Sequence, residues 1–393
     1  MTKPRVCYFR GSYLNPFETQ YLEPLQEEYE LSVAYTRSHR FEIDSIPMRK
    51  ISVNCLDYFN GLLPRQIKGH HIPNLFKVFG YDEVLLNALD FAKNFDVIHA
   101  QEQAFYSSWQ LAKAKQKHGF KLITVQCEVN PYWYLSKRAI PLRAKFTREQ
   151  SDLFIARSER AKAALICEGV NENRIRVIGH GVDTKRFHPG PKDNKLCAEL
   201  NIDSDRFIIL FVGHLLWTKG IFALANAAKL VMADPEIKKL DPLFLIVGEG
   251  GERAALEQTI KNLEIEHNFK LIGRQRYNLL PAIHRLADIF VLPSISTRYI
   301  LEQFGIVLIE SMSTGKPVIS THCGAIDEVV GDAGILVQPN DYLRLAESLI
   351  TLCKNEELRN ELGIRGIDRV NTFFTNTIMS SKIASAYQEV LKL

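Results

Sequence analysis

Residues 288–320 read DIFVLPSISTRYILEQFGIVLIESMSTGKPVIS. The short apolar run Ile289 to Leu292 has the length and composition of a strand buried on both faces. A Pro-Ser turn and a polar loop lead to Glu302-Gln303-Phe304-Gly305. Ile306 to Met312 then has a helical pattern that Gly315 ends, and a second strand is expected over Pro317 to Ser320. Strand, loop, glycine and helix start together make an anion site. The first backbone N–H groups of a helix have no intrahelical partner, and the helix dipole favours negative charge there. A glycine at the entry lets a phosphate or sugar oxygen come close to the backbone.

Two carboxylates flank this helix start, Glu302 before it and Glu310 inside it. On one continuous helix the eight-residue spacing would separate them by about 12 Å. Paired carboxyls of glycosidases sit roughly 5–9.5 Å apart, so an acid–base pair is disfavoured. The spacing suits a long ligand gripped at both ends, with a diphosphate at the helix start between them, which is the shape of a nucleotide sugar. Taken alone, the same spacing also describes a loop carboxylate and a solvated helix carboxylate.

Length and composition set wider bounds. A chain of 393 residues divides most naturally into two domains, and 24% charged with 46% hydrophobic residues is ordinary for a globular protein. No apolar stretch reaches the roughly 18 residues of a membrane span, and no signal peptide is expected. The seven cysteines are scattered and lack a C-x-x-C pair, so neither a disulfide framework nor a structural zinc site is indicated. A cytoplasmic location is expected. Residues 1–195 carry 29 Lys and Arg against 21 Asp and Glu, whereas the remainder carries 20 against 24. The basic first half fits an acidic ligand or a membrane surface, or equally a solvated face. No nucleic-acid partner is expected. The stretch from Trp133 to Arg148 mixes aromatic and basic residues and could lean on the inner face of an anionic membrane. It also reads as a surface helix broken by Pro141.

The first half alternates short apolar runs with helical segments, which indicates an α/β protein with parallel sheets. Strands are expected at Arg5–Phe9, Leu31–Tyr35, Asp96–His99, Lys121–Val125, Leu153–Ala156 and Ile175–Ile178. Further on they are expected at Phe207–Val212, Leu243–Val247 and Phe269–Ile272. The Pro/Gly/polar segment Gly190 to Lys195 marks a domain boundary near 190–205.

The run Glu302, Phe304, Gly305, Glu310, followed by Gly315, Pro317, Val318 and Ile319, resembles the donor-binding signature of retaining glycosyltransferase family 4 (glycosyltransferase group 1). Gly181, Val182, Asp183, Phe187 and Pro189 match a second family motif. The resemblance implies the GT-B fold, with two Rossmann-like domains facing across a deep cleft. It implies an acceptor-side domain over 1–195 plus a terminal helix, 373–393, that crosses back to it. The donor-binding domain would be 200–372.

By the same resemblance, a hexosyl group moves from a nucleoside diphosphate sugar to a glycan, lipid-linked or small-molecule hydroxyl, with retention by front-face displacement. No metal or other cofactor is implied. The triplet Asp203-Ser204-Asp205 sits in a turn, a poor place for a D-x-D metal motif. Lys219, in the G-R-x-x-x-x-K-G position after Gly213, and the helix start at Gly305, Ile306 and Val307 would stabilise the departing diphosphate. His214 stands where the family has Arg, a fork that a neutral imidazole does not replace, although an adjacent anion favours the charged form. Glu302 would bind sugar hydroxyls, Glu310 the ribose diol, and the backbone at Arg274 and Gln275 the base.

Gly11 is placed like the loop beneath the diphosphate. Gln126 stands where many members have a histidine that contacts the donor sugar, and it cannot carry a proton. Ser12, Asn15, Glu18 and Glu128 are acceptor-side candidates, while His99, ending a strand, reads as a structural hydrogen-bonding residue. Three alternatives remain open on the residues: a GT-B nucleotide-sugar epimerase, a sugar phosphorylase and a non-catalytic nucleotide-sugar-binding protein.

Overall fold

The computed structural model describes residues 2–37, 41–56, 83–134, 140–297 and 301–392. Two compact units share the chain, Met1–Gly181 with Asn376–Leu393, and Val182–Thr375. The first holds a parallel sheet of β1 (Arg5–Phe9), β2 (Glu30–Thr36), β3 (Arg49–Val53), β4 (Val97–Ala100), β5 (Lys121–Gln126), β6 (Leu153–Ala156) and β7 (Ile175–Val177), in the order 3-2-1-4-5-6-7. The second holds β8 (Ile208–Val212), β9 (Leu243–Val247), β10 (Phe269–Leu271), β11 (Ile289–Leu292), β12 (Val318–Thr321) and β13 (Gly334–Val337), ordered 10-9-8-11-12-13. Both sheets are α/β and doubly wound, with the order reversing beside the first strand of each unit.

Burial explains why the central strands are so apolar. IILFV in β8 and LFLIV in β9 are buried at every position, as strands covered by helices on both faces must be. In β1 the alternation divides the residues between two cores. Val6 and Tyr8 join one cluster, Cys7 and Phe9 the other. The two strands that sequence patterning missed, β3 and β13, are the outer strands of their sheets. RKISV is mostly exposed and GILV half-buried, so neither carries the continuous apolar run of a central strand.

The helix Asn376–Lys392 belongs to the first unit. Met379, Ile383, Tyr387 and Val390 enter its core, Tyr29 donates to the Ala384 carbonyl at 3.3 Å, and Arg176 pairs with Glu389 at 2.6 Å. The chain passes between units at Gly181–Val182, ahead of the polar segment predicted to mark the boundary. The reason is local. Val182 N–H donates to the Phe374 carbonyl, Phe187 is buried in the second core, and Lys192 of the polar segment pairs with Asp288 at 2.7 Å.

Candidate active site

In the second unit the order reverses between β8 and β11, and the loops after these strands carry the candidate residues. Lys219 Nζ lies 2.6 Å from Glu302 Oε2, and Ser294 Oγ donates to the same oxygen at 2.7 Å. Burial pushes the Glu302 carboxyl up, but the Lys219 cation and these two donors outweigh it and hold it below the usual range. Glu302 is thus ionised at neutral pH.

Backbone contacts fix the pair. The Ile295 N–H donates to the Thr218 carbonyl at 2.8 Å, and the Ala325 N–H to the Glu302 carbonyl at 2.9 Å. Two glycines permit this closeness. A Cβ on Gly220 (φ +70°) would stand 1.8 Å from the Pro293 carbonyl oxygen, and one on Gly324 (φ +61°) 1.9 Å from that of Glu302. The turn at Gly324-Ala325 therefore supports Glu302.

Gly305 (φ +80°) caps the helix Ile306–Ser313 in the left-handed conformation. The helix begins after Glu302, so one continuous helix does not join the two carboxylates. Ile306 and Val307 are its first residues, with N–H groups at the positions that lack intrahelical acceptors. Phe304 turns into the core edge-on to Phe374, centroids 5.8 Å apart, so its ring fixes the loop instead of lining a donor site.

Gly213 and His214 follow β8. Partial burial and then the Lys219 cation, with Arg274 adding to it, lower the His214 pKa. The imidazole is neutral at pH 7 in the free protein, unlike the permanent cation its position implies in the family. Arg274 and Gln275 follow the Gly273 turn, where the Gln275 amide donates to the Ile272 carbonyl at 2.7 Å.

Glu310 differs from expectation. Its carboxylate is only 1% exposed, Tyr277 OH donates to Oε1 at 2.9 Å, and His284 Nε2 lies 3.8 Å from Oε2. The carboxylate predicted to meet a ribose diol is covered by Tyr277 in this state. Neither Tyr277 nor His284 stood out in the sequence. Asp203 accepts from the Asp205 N–H within its own turn at 3.1 Å.

In the first unit the corresponding loops follow β1 and β4. Gly11 (φ +56°) lies against Glu83, whose carboxylate accepts the Ser12 N–H at 2.5 Å. An internal carboxylate thus occupies the place where an anion was expected. Asn15 is a helix cap, with its Oδ1 accepting from the Glu18 N–H and its Nδ2 donating to the Tyr13 carbonyl, both at 2.8 Å. Glu18 is buried and bound by both arms of the Arg10 guanidinium, at 2.6 and 2.9 Å. Burial raises its pKa, but Arg10 prevails and brings it down to about 2.

Gln126 is wholly buried, donating to the Glu128 carbonyl at 3.0 Å and accepting from Gln103 at 3.3 Å. Glu128 accepts from the Val129 and Asn130 N–H groups. Asn15, Glu18 and Gln126 are thus buried and paired within their loops, while Glu128 is half-buried and Ser12 is held there through its backbone N–H. His99 is the structural residue predicted, its Nδ1 being 2.9 Å from Tyr387 OH. The aromatic and basic stretch also turns inward. Arg143 is buried and Arg148 pairs with Glu168 at 3.4 Å, while Leu142, Lys145 and Glu149 are the exposed residues of the helix Ile140–Gln150. Residues 135–139 lie outside the described residues. Pro141 stands in the first turn of that helix and does not break it.

Family models fit both units. Residues 193–369 match the glycosyl transferases group 1 model, and residues 52–186 match the glycosyltransferase family 4 model. The chain belongs to the group 1, family 4 glycosyltransferases.

Among its relatives, the N-acetyl-alpha-D-glucosaminyl L-malate synthase of Bacillus anthracis is 29% identical over 63% of this chain and 62% of its own length. The glycosyltransferase MJ1178 of Methanocaldococcus jannaschii is 28% identical over 76% of this chain and 78% of its own. The match thus spans less than two thirds of the first relative. Among solved structures, Anabaena Alr3699/HepE in complex with UDP and glucose has a TM-score of 0.77 at 20% identity, over 98% of this chain and 99% of that one. Sucrose-phosphate synthase of Thermosynechococcus elongatus has a TM-score of 0.72 at 19% identity, over 99% and 100%. The fold is that of the GT-B glycosyltransferases. Among the described residues, no helix is long and apolar enough to cross a membrane.

Proposed function

We propose that this glycosyltransferase moves a hexosyl group from a uridine diphosphate sugar to a hydroxyl-bearing acceptor, with retention at the anomeric carbon and without a metal. The observation that carries the reading is the Lys219–Glu302–Ser294 cluster beside the Gly305-capped helix start. Lys219 and the first helical N–H groups are fixed donors for a departing diphosphate. Such preorganised donors commonly supply the largest catalytic term. Glu302, held ionised, accepts sugar hydroxyls, and His214 gains a proton when the diphosphate supplies the missing anion.

The neighbouring fold of Alr3699/HepE holds UDP and glucose, which supports uridine as the base. Two relatives are named for L-malate and D-inositol 3-phosphate, both small hydroxylated anions, which supports a small acceptor. The second reading, a nucleotide-sugar-binding protein without transfer, is favoured by the covered Glu310 and the neutral His214.

The test is a thermal-shift panel of UDP, GDP, ADP and dTDP with their sugars, with and without Mg2+, followed by assay of UDP release. A ligand at 100 times its dissociation constant adds about 2.7 kcal/mol of stability. The expected result is a metal-independent shift with UDP and slow release of UDP from its sugar. A shift without turnover selects the binding protein, and a flat panel ends the donor reading.

A further inference from the structure

Glu310 stands between two side chains able to donate to it, and only one of them does. It lies on the helix Ile306–Ser313, while Tyr277 opens the short turn Tyr277–Leu279 and His284 belongs to the helix Leu280–Leu286. All three lie in the second unit. On one side Tyr277 OH donates to Glu310 Oε1 at 2.9 Å. On the other, His284 Nε2 stands 3.8 Å from Oε2, beyond hydrogen-bond range. The imidazole is wholly buried, and among the described residues neither of its ring nitrogens has a hydrogen-bond partner. An imidazole carries at least one N–H donor, and leaving a buried donor unmatched costs about 1–3 kcal/mol. Closing the gap by about 1 Å would make an ordinary N–H···O bond. Glu310 therefore has two arrangements, held by Tyr277 as seen or drawn onto His284.

Tyr277 is the more easily displaced partner. It is half-buried on a three-residue turn, with the Arg186 guanidinium 5.1 Å from its ring centroid and Phe187 5.8 Å away. His284 is fixed in the core against Phe187 and Phe290, at centroid distances of 5.8 and 5.4 Å.

We propose that Tyr277 is a latch on the ribose subsite. Its hydroxyl holds the place of a ribose hydroxyl on Glu310 in the free protein, and the nucleotide displaces it while the carboxylate closes on His284. The assignment rests on the donor reading above, in which Glu310 meets the ribose diol. A ribose hydroxyl replaces the donor that leaves, so the exchange keeps Oε1 satisfied. Tyr277 thereby lowers the affinity for nucleotide by the strength of the bond that must be broken, and it disfavours ligands that bring no hydroxyl to that oxygen.

The test variant is Tyr277→Phe, which keeps the ring against Phe187 and Arg186 and removes only the hydroxyl. Calorimetric UDP affinity, and melting temperature with and without saturating UDP, are measured on the full chain. The expected result is about 10-fold tighter UDP binding, the effect of one hydrogen bond to a charged group that no longer has to be broken. Without nucleotide the variant is expected to melt below the wild type, and at saturating UDP to melt level with it. A contact made only in the free state shifts stability and affinity by equal and opposite amounts. Unchanged or weaker UDP binding overturns the latch. So does a melting gap that survives saturation, which is what a merely structural tyrosine predicts. In the Glu310→Ala background the hydroxyl has no carboxylate to hold, so its removal is expected to leave the melting temperature unmoved, and an equal loss there overturns action through Glu310. Tyr277→Leu serves if the first variant does not fold, with tighter UDP binding expected and unchanged binding contrary. Absence of UDP binding by the wild-type chain instead overturns the donor reading, and the latch with it.

Discussion

The two units share a strand order and differ in what they do with charge at the strand ends. In the first, Arg10 is bound to Glu18, Arg157 donates to Tyr21 OH and two backbone carbonyls, and Arg148 pairs with Glu168, all largely buried. In the second, Lys219 is about a quarter exposed just before the helix Ile221–Val231, and His214 lies at the surface. The first unit's loops are held by their own ion pairs, and even the Gly11 turn is filled by Glu83. In the second unit Lys219 is paired with Glu302 yet keeps part of its side chain at the surface, where an incoming anion can reach it. Equal topology therefore does not give equal chemistry, because the loop side chains decide which charges are already neutralised.

The sharpest way to break the comparison is Lys219→Ala. It removes a donor and leaves buried Glu302 without its cation. Transfer is expected to fall by about 10^2–10^3-fold in a steady-state assay, the usual loss for one fixed donor at a developing charge. Near-normal turnover would refute the assignment.

Paired glycine variants sharpen the contrast structurally. Gly220→Ala drives a Cβ into the Pro293 backbone, whereas Gly11→Ala meets only the Glu83 carboxylate end, which can move. Urea titration should show a loss of more than about 3 kcal/mol for the first, and roughly 1–2 for the second from left-handed strain alone. Equal losses would remove the distinction.

Titration separates the units next. Glu18, depressed to about 2, contributes stability that is full above its unfolded value near 4.5 and is lost as pH falls toward 2. Glu102 has the opposite sign. Its folded pKa is raised to about 7, so its favourable contribution is full below 4.5 and is lost as pH rises from there to 7. Each shift corresponds to a ceiling on the order of 3 kcal/mol. In melts against pH, Glu18→Gln should remove part of the acid limb, and Glu102→Gln should gain on the wild type between pH 5 and 8. The smallest expected effect is that of Gly119→Ala, about 1 kcal/mol. This glycine caps Tyr106–His118 at φ +72° with nothing within 4 Å of an added Cβ.

Much of the site was legible because its chemistry is local in the chain. Glu302, Gly305 and the helix from Ile306 lie within one strand–loop–helix unit that reads as an anion site from its residues, whereas Lys219 lies within a second and was singled out by resemblance to a family motif. The raised pKa of Glu102 was not legible. It depends on burial and on amides after β5, and neither leaves a pattern around residue 102. Tyr277 and His284 were hidden for the same reason, each acquiring a role only when Glu310 arrives from another helix. For Gln126, Glu18 and Asn15 the sequence hid the reverse, since polar residues near strand ends look available until the partners that hold them are known.

Apolar periodicity and glycine placement in the sequence determined the central strands, the α/β class and the donor-type loop of the second unit. These follow from local backbone geometry and from burying strands between helices. The tertiary structure alone decided the edge strands, the division at Gly181–Val182, the cover over Glu310 and the raised pKa of Glu102. Those depend on solvent exclusion and on charges brought together from distant parts of the chain, and the free energy of a buried polar group is set by partners that the sequence order does not reveal.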